Sequence, residues 1–564
     1  MGAGLAFELK PPDPDAAREL GRACGLGAAT AQVLLHRDLG DEARTREFLD
    51  ARLSGLTPPD EMADRALAAD RIASAIRSRE RVVVFGDYDV DGTTSAVVLS
   101  GILRELGGAA VTLAANRFEG GYGFSDTALD RCIEAGASMI VTCDCGSSDH
   151  DRIARARSRG VDVVVVDHHL VPEEPLPAFA FLNPHRLDCP FPYQGLASAG
   201  LALSLGGAVR RAMGRDLDLK SWLDLVALGT IADVAPLDGD NRRLVRAGLR
   251  LLADPGARPG IVALRDVANL KGRHLGARDV SFRLAPRLNA AGRLGDPRIT
   301  VELLEAATPE QARGLAARVE QINEERKQVE RRVTAEARAQ ALEVYGEAPD
   351  RGVVVASEGW HRGVVGITAA RLVDSLGVPV LALAVEDGVA HGSGRAPDGF
   401  PLYDALSMCA PLLLGFGGHQ AAAGLSVAAD RIEPLRADFA AATARFPMAP
   451  AGPPLVDVCL DGVVFPVPSA ADLMRLEPTG EANPEPLYAV TQARVVSART
   501  VGEGGAHLKL ELEVGPQRLS AFGFDLGSRA AGLGATVDAL GHVRLDTWRG
   551  GDAVELHLVA VQGG

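Results

Sequence analysis

Aromatic residues are scarce in this chain: 4% of its 564 residues, with three Trp. Val, Leu and Ala must therefore fill its cores. Long apolar runs are missing as well. No run approaches the ~18 residues of a membrane-spanning helix, so no span is expected. Met1 to Lys10 contain no basic region followed by a long apolar core, so no signal peptide is expected either. The seven cysteines are scattered, odd in number and form no CxxC pair. That usage fits a reducing cytosol and places the protein in the cytoplasm. Positive charge is in deficit, with a formal net charge of −15. The deficit argues against non-specific coating of DNA or of anionic membranes. Charge can be segregated, however: residues 241–340 carry 20 Lys+Arg against 12 Asp+Glu. Alone, such a stretch reads as readily as a solvated helical face.

What is present is apolar bulk, 47% of the chain, together with 63 Gly and 33 Pro. A chain of this length holds several domains. Residues 1–78 read as a helical, charged segment. Residues 79–305 begin with alternating strand, turn and helix, with strands at 81–86, 110–115, 138–143 and 161–166. That alternation predicts a parallel sheet covered on both faces. From Pro309 to about Tyr345 the composition is Ala, Glu, Arg and Gln, all strong helix formers, so a connecting helix is expected over 306–348. A second α/β domain is expected over 349–447. Pro- and Gly-rich residues then lead into 455–564, where short alternating strands predict a β-barrel.

The strand ends carry the chemistry. Arg81-Val82-Val83-Val84-Phe85-Gly86 opens into Asp87-Tyr88-Asp89-Val90-Asp91-Gly92. Met139-Ile140-Val141-Thr142 opens into Cys143-Asp144-Cys145-Gly146. Val161-Asp162-Val163-Val164-Val165-Val166 ends in Asp167-His168-His169. In open α/β sheets, ligands sit beyond the carboxyl ends of the strands. Carboxylates gathered there repel one another unless divalent cations lie between them. Hard carboxylate oxygens with one or two imidazoles suit Mn²⁺ or Mg²⁺ better than a closed thiolate zinc site. Cys143 and Cys145 flank Asp144, and strand alternation turns both thiols away from it. An Asp/Gly-rich turn capping the next helix would explain one Asp of the 87–91 group. It would not explain the further acids and imidazoles on neighbouring strands.

In order and spacing, these segments and Ala227-Leu228-Gly229-Thr230-Ile231-Ala232-Asp233-Val234-Ala235-Pro236-Leu237 resemble the four motifs of the DHH phosphoesterase superfamily. Within it they resemble the RecJ-type nucleases. The resemblance implies two divalent cations. Asp89 and Asp91 would reach one ion each, Asp144 would bridge, and His168 and Asp233 would complete the second ion. Asp167 would orient the imidazoles, and His169 would face the scissile phosphate. Many superfamily members carry a metal-binding His where this chain has Phe85, and Asp87 is the candidate to fill the vacant coordination.

The resemblance continues downstream. Asn116-Arg117-Phe118 and Arg287-Leu288-Asn289-Ala290-Ala291-Gly292-Arg293 match substrate-holding segments, making Arg117, Arg287, Asn289 and Arg293 candidates for phosphate contact. Trp360 to Ile367, His391 to Ala396 and Gly415 to Gly424 resemble the DHHA1 domain. Ser393 and Arg395 are the choice for a terminal 5′-phosphate, with Gly418 and His419 near the scissile group. Residues 455–564 resemble an OB fold, which binds single strands by stacking and a basic groove. Phe522, Phe524 and Trp548 are its candidate aromatics, although barrel core is their commoner role. This segment is acidic (8 Lys+Arg, 14 Asp+Glu), so any basic groove must be local.

The reading is a single-stranded-DNA-specific 5′-to-3′ exonuclease that releases 5′-mononucleotides by two-metal-ion hydrolysis. It implies work in recombination and repair, with a single-strand-binding protein and a helicase as partners and no membrane. Two alternatives stay open: a DHH–DHHA1 phosphodiesterase of short oligoribonucleotides or cyclic dinucleotides, and a non-catalytic DNA-binding scaffold.

Overall fold

The apolar runs read as strands pair with one another in the computed structural model, which describes residues 5–120, 123–272, 274–418, 421–448 and 452–563. Five parallel strands lie in the order Ala109–Ala114, Arg81–Gly86, Met139–Cys143, Asp162–Val166, Ala180–Leu182. The fifth strand, Ala180–Leu182, is too short to stand out in the sequence. Chain order reverses at Arg81–Gly86, whose neighbours on its two sides are the second and third strands. A crevice opens at such a switch point, beyond the carboxyl ends of the strands. Asp87 and Asp144 each follow directly from strands that meet there. Phe85, on that first strand, is fully buried and packs edge-on against Phe124 with ring centroids 5.5 Å apart. It belongs to the core, which is why no ligand stands at that position.

The described residues divide between two compact units. One takes the five-stranded parallel sheet, the N-terminal helices and the C-terminal β domain. The other takes 116–119 and 286–448, which include the long helix and a second sheet.

In the first unit the C-terminal strands close on themselves. The 14-residue strand Tyr488–Val501 pairs with His507–Val514 and also with Thr536–Leu545. Register shifts near Val490–Ala493 and Val495–Ser497 allow it to bend between these partners. Gln517–Gly523 and Val554–Gly563 complete a five-stranded barrel. Its core is not its own. Ala17, Leu20, Leu34 and Leu49 of the N-terminal helices are buried in one cluster with barrel residues such as Tyr488, Leu510 and Ala521.

Arg242 ties these parts together. It is 2% exposed and stacks on Phe48, its guanidinium carbon 3.7 Å from the ring centroid. Its N–H groups donate to five main-chain carbonyls, of Phe48, Arg475, Leu476, Glu477 and Pro478, at 2.9–3.2 Å. Those are all the donors a guanidinium has. Burial, with the nearby Arg246 charge, lowers its pKa to about 9.

In the second unit, Pro309–Tyr345 is one helix of 37 residues, about 55 Å long at 1.5 Å per residue. Thr308 caps its first turn by accepting the Gln311 N–H at 3.2 Å. Val333, Ala337 and Ala341 of this helix share a core with Val353, Val355 and Val380 of the sheet. That sheet is mixed: only Val353–Ser357 and Val380–Glu386 are parallel, and the other pairings are antiparallel. No helix among the described residues is long and apolar enough to cross a membrane.

Candidate functional site

Strand ends and helix termini bring five of the predicted groups together. Ligand atoms of Asp144, His168 and His169 lie within 4.8 Å of one another, and so do those of Asp91, His168 and Asp233. His168 Nε2 is the hinge, 3.2 Å from Asp144 Oδ1 and 3.7 Å from Asp233 Oδ2. The two triads overlap at His168, whose Nε2 can serve a single cation, so the carboxylates of Asp91, Asp144 and Asp233 are what a second cation would have to use.

Each side chain is held from behind. Asp91 lies in the first turn of the helix Val90–Glu105, and its carboxylate accepts the N–H groups of Ser198 and Ala199 at 2.8 and 3.1 Å. Those donors open the helix Ser198–Ala212, whose dipole favours an anion there. Ser198 Oγ also donates to Asp144 at 3.0 Å. Asp144 itself sits at φ 64, a left-handed conformation that Asp tolerates better than most residues. Asp233 caps the helix Leu223–Ala232. That helix can approach because residue 229 is glycine: a Cβ there would stand 2.5 Å from Asp91 Oδ1.

Asp167 stands behind the two histidines and bonds the ring of one of them, His169. It accepts the backbone N–H groups of Ser147, His168 and His169, and its Oδ1 accepts a hydrogen bond from His169 Nδ1 at 2.7 Å. Asn183 braces the same turn by donating to Ser147 Oγ and to the His169 carbonyl. Ser198, Ser147 and Asn183 escaped the sequence reading. Only a Ser at a helix start signals the first, and nothing local signals the other two.

Asp87 and Asp89 stand at the margin. Among the described residues neither joins the two triads. Asp87 is buried and accepts the Gly123 N–H at 3.4 Å. Asp89 Oδ1 caps the helix Val90–Glu105 through the Gly92 N–H, yet its charge still reaches Asp91, Asp144 and Asp233. Cys143 and Cys145 are buried free thiols.

The electrostatics record the crowding. Burial and then the Asp89 charge raise Asp91 to about 7. Burial and then Asp91 raise Asp233 to about 9. Burial and the surrounding acids push Asp144 well above the carboxylate range. Burial would also raise Asp167, but its His169 partner brings it down to about 2. Burial would lower His169, and the same pairing carries it up to about 9. Three acids crowded and raised beside the imidazole of His168 form a donor set that fits divalent cations.

The second unit holds a cluster of the opposite sign. Arg395 donates to Ser393 Oγ at 2.7 Å. Burial and then the Arg117 charge lower its pKa. The helix Val365–Leu376 begins on the same spot: a Cβ at Gly366 would meet Ser393 Oγ at 3.1 Å and the Arg395 guanidinium at 3.3 Å. Phe118, next to Arg117, lies against His361 with centroids 5.5 Å apart and beneath Arg362 at 4.7 Å. Arg287 pairs with Glu320 of the long helix, and Arg293 donates to the Gly363 carbonyl at 3.3 Å. Asn289 is half-buried on the helix Ala285–Leu294, four residues from Arg293 and so on the same face. Gly418 ends its strand at φ 146, where a Cβ would stand 2.4 Å from the Ala422 carbonyl. His419 lies outside the described residues.

The barrel corrects one expectation. Phe524 and Trp548 are not core: they are 68% and 96% exposed. Phe524 stacks on His507 at 4.3 Å, and Phe522 lies edge-on to both rings. Beside them a cavity of about 1080 Å³ is walled by Phe522, Trp548, Lys509 and Arg544 of the barrel and by Arg278 and Phe282. The cavity wall is mixed in charge, for Lys509 pairs with Glu555 and Arg544 with Glu485.

Fold and site together define a DHH-type phosphoesterase: a parallel sheet whose switch point collects acids and imidazoles, followed by a smaller mixed-sheet domain. Family models agree. The DHH family, N-terminal domain, matches residues 81–230, the DHHA1 domain 350–444 and the RecJ OB domain 457–560. The single-stranded-DNA-specific exonuclease RecJ of Dickeya dadantii is 40% identical over 502 residues, 84% of each chain. The crystal structure of Thermus thermophilus RecJ with Mn²⁺ superposes with a TM-score of 0.83 at 30% identity, covering all of this chain and 80% of that one. The Mg²⁺ complex of the same protein gives 0.78 at 29%, covering 99% and 79%. The chain belongs to the RecJ family.

Proposed function

We propose that this protein is an exonuclease that degrades single-stranded DNA from the 5′ end and releases 5′-mononucleotides, with two divalent cations, Mn²⁺ or Mg²⁺. The observation that carries the reading is the gathering of Asp91, Asp144, Asp233 and His168 at the switch point of the sheet, where burial and mutual repulsion raise the acids and cations would relieve the crowding. When bound, such ions supply Lewis acidity at the phosphoryl group and a water of lowered pKa.

The chain's own residues do the rest. Asp91, Asp144, His168 and Asp233 hold the cations, with Asp87 and Asp89 at the margin of the first. Asp167 fixes the tautomer and direction of His169, leaving its Nε2 to meet the phosphate. The raised pKa of His169 favours the protonated imidazole, a donor suited to developing charge on a phosphoryl oxygen. Arg395, Ser393 and Arg117, two cations with a hydroxyl at a helix start, suit a terminal 5′-phosphate. A site for the end group favours the 5′ polarity. Arg287, Asn289, Arg293 and Gly418 are further candidates for substrate contact, as is His419, which lies outside the described residues. The exposed Phe524 and Trp548 rings of the barrel suit a single strand, whose bases stack without sequence preference.

The barrel weighs against a compact phosphodiesterase of dinucleotides, and the full set of acids weighs against an inert scaffold. Work in DNA recombination and repair, beside a single-strand-binding protein and a helicase in the cytoplasm, is the setting this reading implies. The seven free thiols favour a reducing compartment.

Digestion of 5′-end-labelled strands with Mn²⁺ tests it. The label is expected to appear first as mononucleotide from single strands, not from a blunt duplex, and not in EDTA. Release of the label in longer fragments, or faster cleavage of a dinucleotide than of a long strand, would overturn it.

A further inference from the structure

Val234 breaks the usual rule of helix endings, and it does so beside the metal triads. The helix Leu223–Ala232 closes with the paired bonds of a Schellman motif. The Val234 N–H donates to the Ile231 carbonyl at 3.2 Å, and the Ala235 N–H to the Thr230 carbonyl at 3.2 Å. This motif places the residue after the cap in the left-handed region, where glycine is the common choice because it has no Cβ. Here the residue is valine, at φ 61. Among the described residues, ten non-glycine positions have positive φ, and Val234 is the only β-branched one. A branched Cβ crowds the backbone most in that region.

The Val234 side chain is 65% exposed, while Ala235 and Leu237 after it are buried. Its position is fixed by its neighbour, because Asp233 is in the triad with Asp91 and His168. A second apolar side chain repeats the arrangement: Leu170, directly after His169, is 69% exposed. Two members of the site are thus each followed by an apolar group standing in water. Strain kept at a functional site, without internal packing to hold it, points to a partner outside the chain.

We propose that Val234 is a substrate-contact residue, its isopropyl group packing on the apolar face of the nucleotide whose phosphate is cleaved. The inference rests on the phosphoesterase reading above. The contact would form when substrate binds, bury the exposed methyls and hold the nucleotide over the site. A glycine would cap the helix with less strain and lose that contact.

The test compares full-length wild type with V234G and V234I. V234G is expected to melt no lower than wild type, since relief of left-handed strain offsets the added freedom of the unfolded chain. Its KM for a 5′-phosphorylated single strand should rise about tenfold, the size of a modest apolar contact. Its kcat should stay within about twofold, and its Mn²⁺ activation midpoint should not move. V234I keeps the branched surface and should restore the KM. An active V234G with wild-type KM would overturn the inference. So would a loss confined to kcat with a shifted Mn²⁺ midpoint, because the residue would then act on Asp233 and not on the substrate. An inactive wild type would sink the functional reading itself, and this inference with it.

Discussion

The two charged clusters of this protein are crowded in opposite senses. In the first unit, Asp91, Asp144 and Asp233 are pressed together, and burial and mutual repulsion raise all three above the carboxylate range. In the second, burial and the neighbouring Arg117 make Arg395 easier to deprotonate. Neither arrangement is a comfortable resting state. A folded chain keeps like charges together where a ligand of the other sign relieves them. The acidic cluster would be relieved by cations and the guanidinium cluster by an anion, each within its own unit.

Three experiments break or sharpen that contrast. The largest effect belongs to Asp144→Asn. It removes the acid at the heart of one triad, and kcat/KM is expected to fall on the order of 10³-fold or more. The same change relieves repulsion, so in EDTA the variant should melt above wild type. A variant as active as wild type would remove Asp144 from the site. Next comes Arg395→Gln, which should erase the preference for 5′-phosphorylated over 5′-hydroxyl strands. A loss of roughly 10–100-fold in kcat/KM for the phosphorylated strand is expected, the scale of a charged hydrogen bond. An unchanged ratio between the two strands would separate this cluster from the 5′ end.

The smallest effect is the pH dependence of stability. Folded Asp91 and Asp233 keep protons to about 7 and about 9, whereas an unfolded Asp releases its proton near 4. As pH rises, the unfolded chain therefore loses these protons first. Their stabilisation is full below about pH 4 and is lost as pH climbs through 7 to 9. His169, held up to about 9, acts in the same direction above its unfolded value near 6.5. Calorimetry in EDTA should show stability falling across this range. Excess Mn²⁺ should flatten the slope, and identical slopes with and without metal would show that the acids do not face the ion.

The acids were legible from the sequence because a strand end is a local event. Apolar runs mark the strands, and the residues just after each run must lie on one edge of a parallel sheet. Asp144 and His168 could therefore be placed together without coordinates. The braces could not. Ser198 and Asn183 lie outside the motifs, and only folding shows that they donate to Asp144 and to the His169 turn. The N-terminal helices gave no sign that Leu34 and Leu49 complete the core of a barrel some 450 residues onward. Amphipathic periodicity shows that a face is buried and is silent about what covers it. Phe524 and Trp548 misled for a related reason: in a chain so poor in aromatics, rings read as core until their exposure is known.

Arg242 has a consequence of another kind. Its partners are peptide oxygens, and every residue type supplies one. Substitutions through 475–478 can therefore accumulate without weakening the joint, provided the loop keeps its path. The joint is vulnerable at a single codon, because lysine has three donors where five are used. Over evolutionary time, the segment leading into the barrel should drift while the arginine that grips it stays fixed.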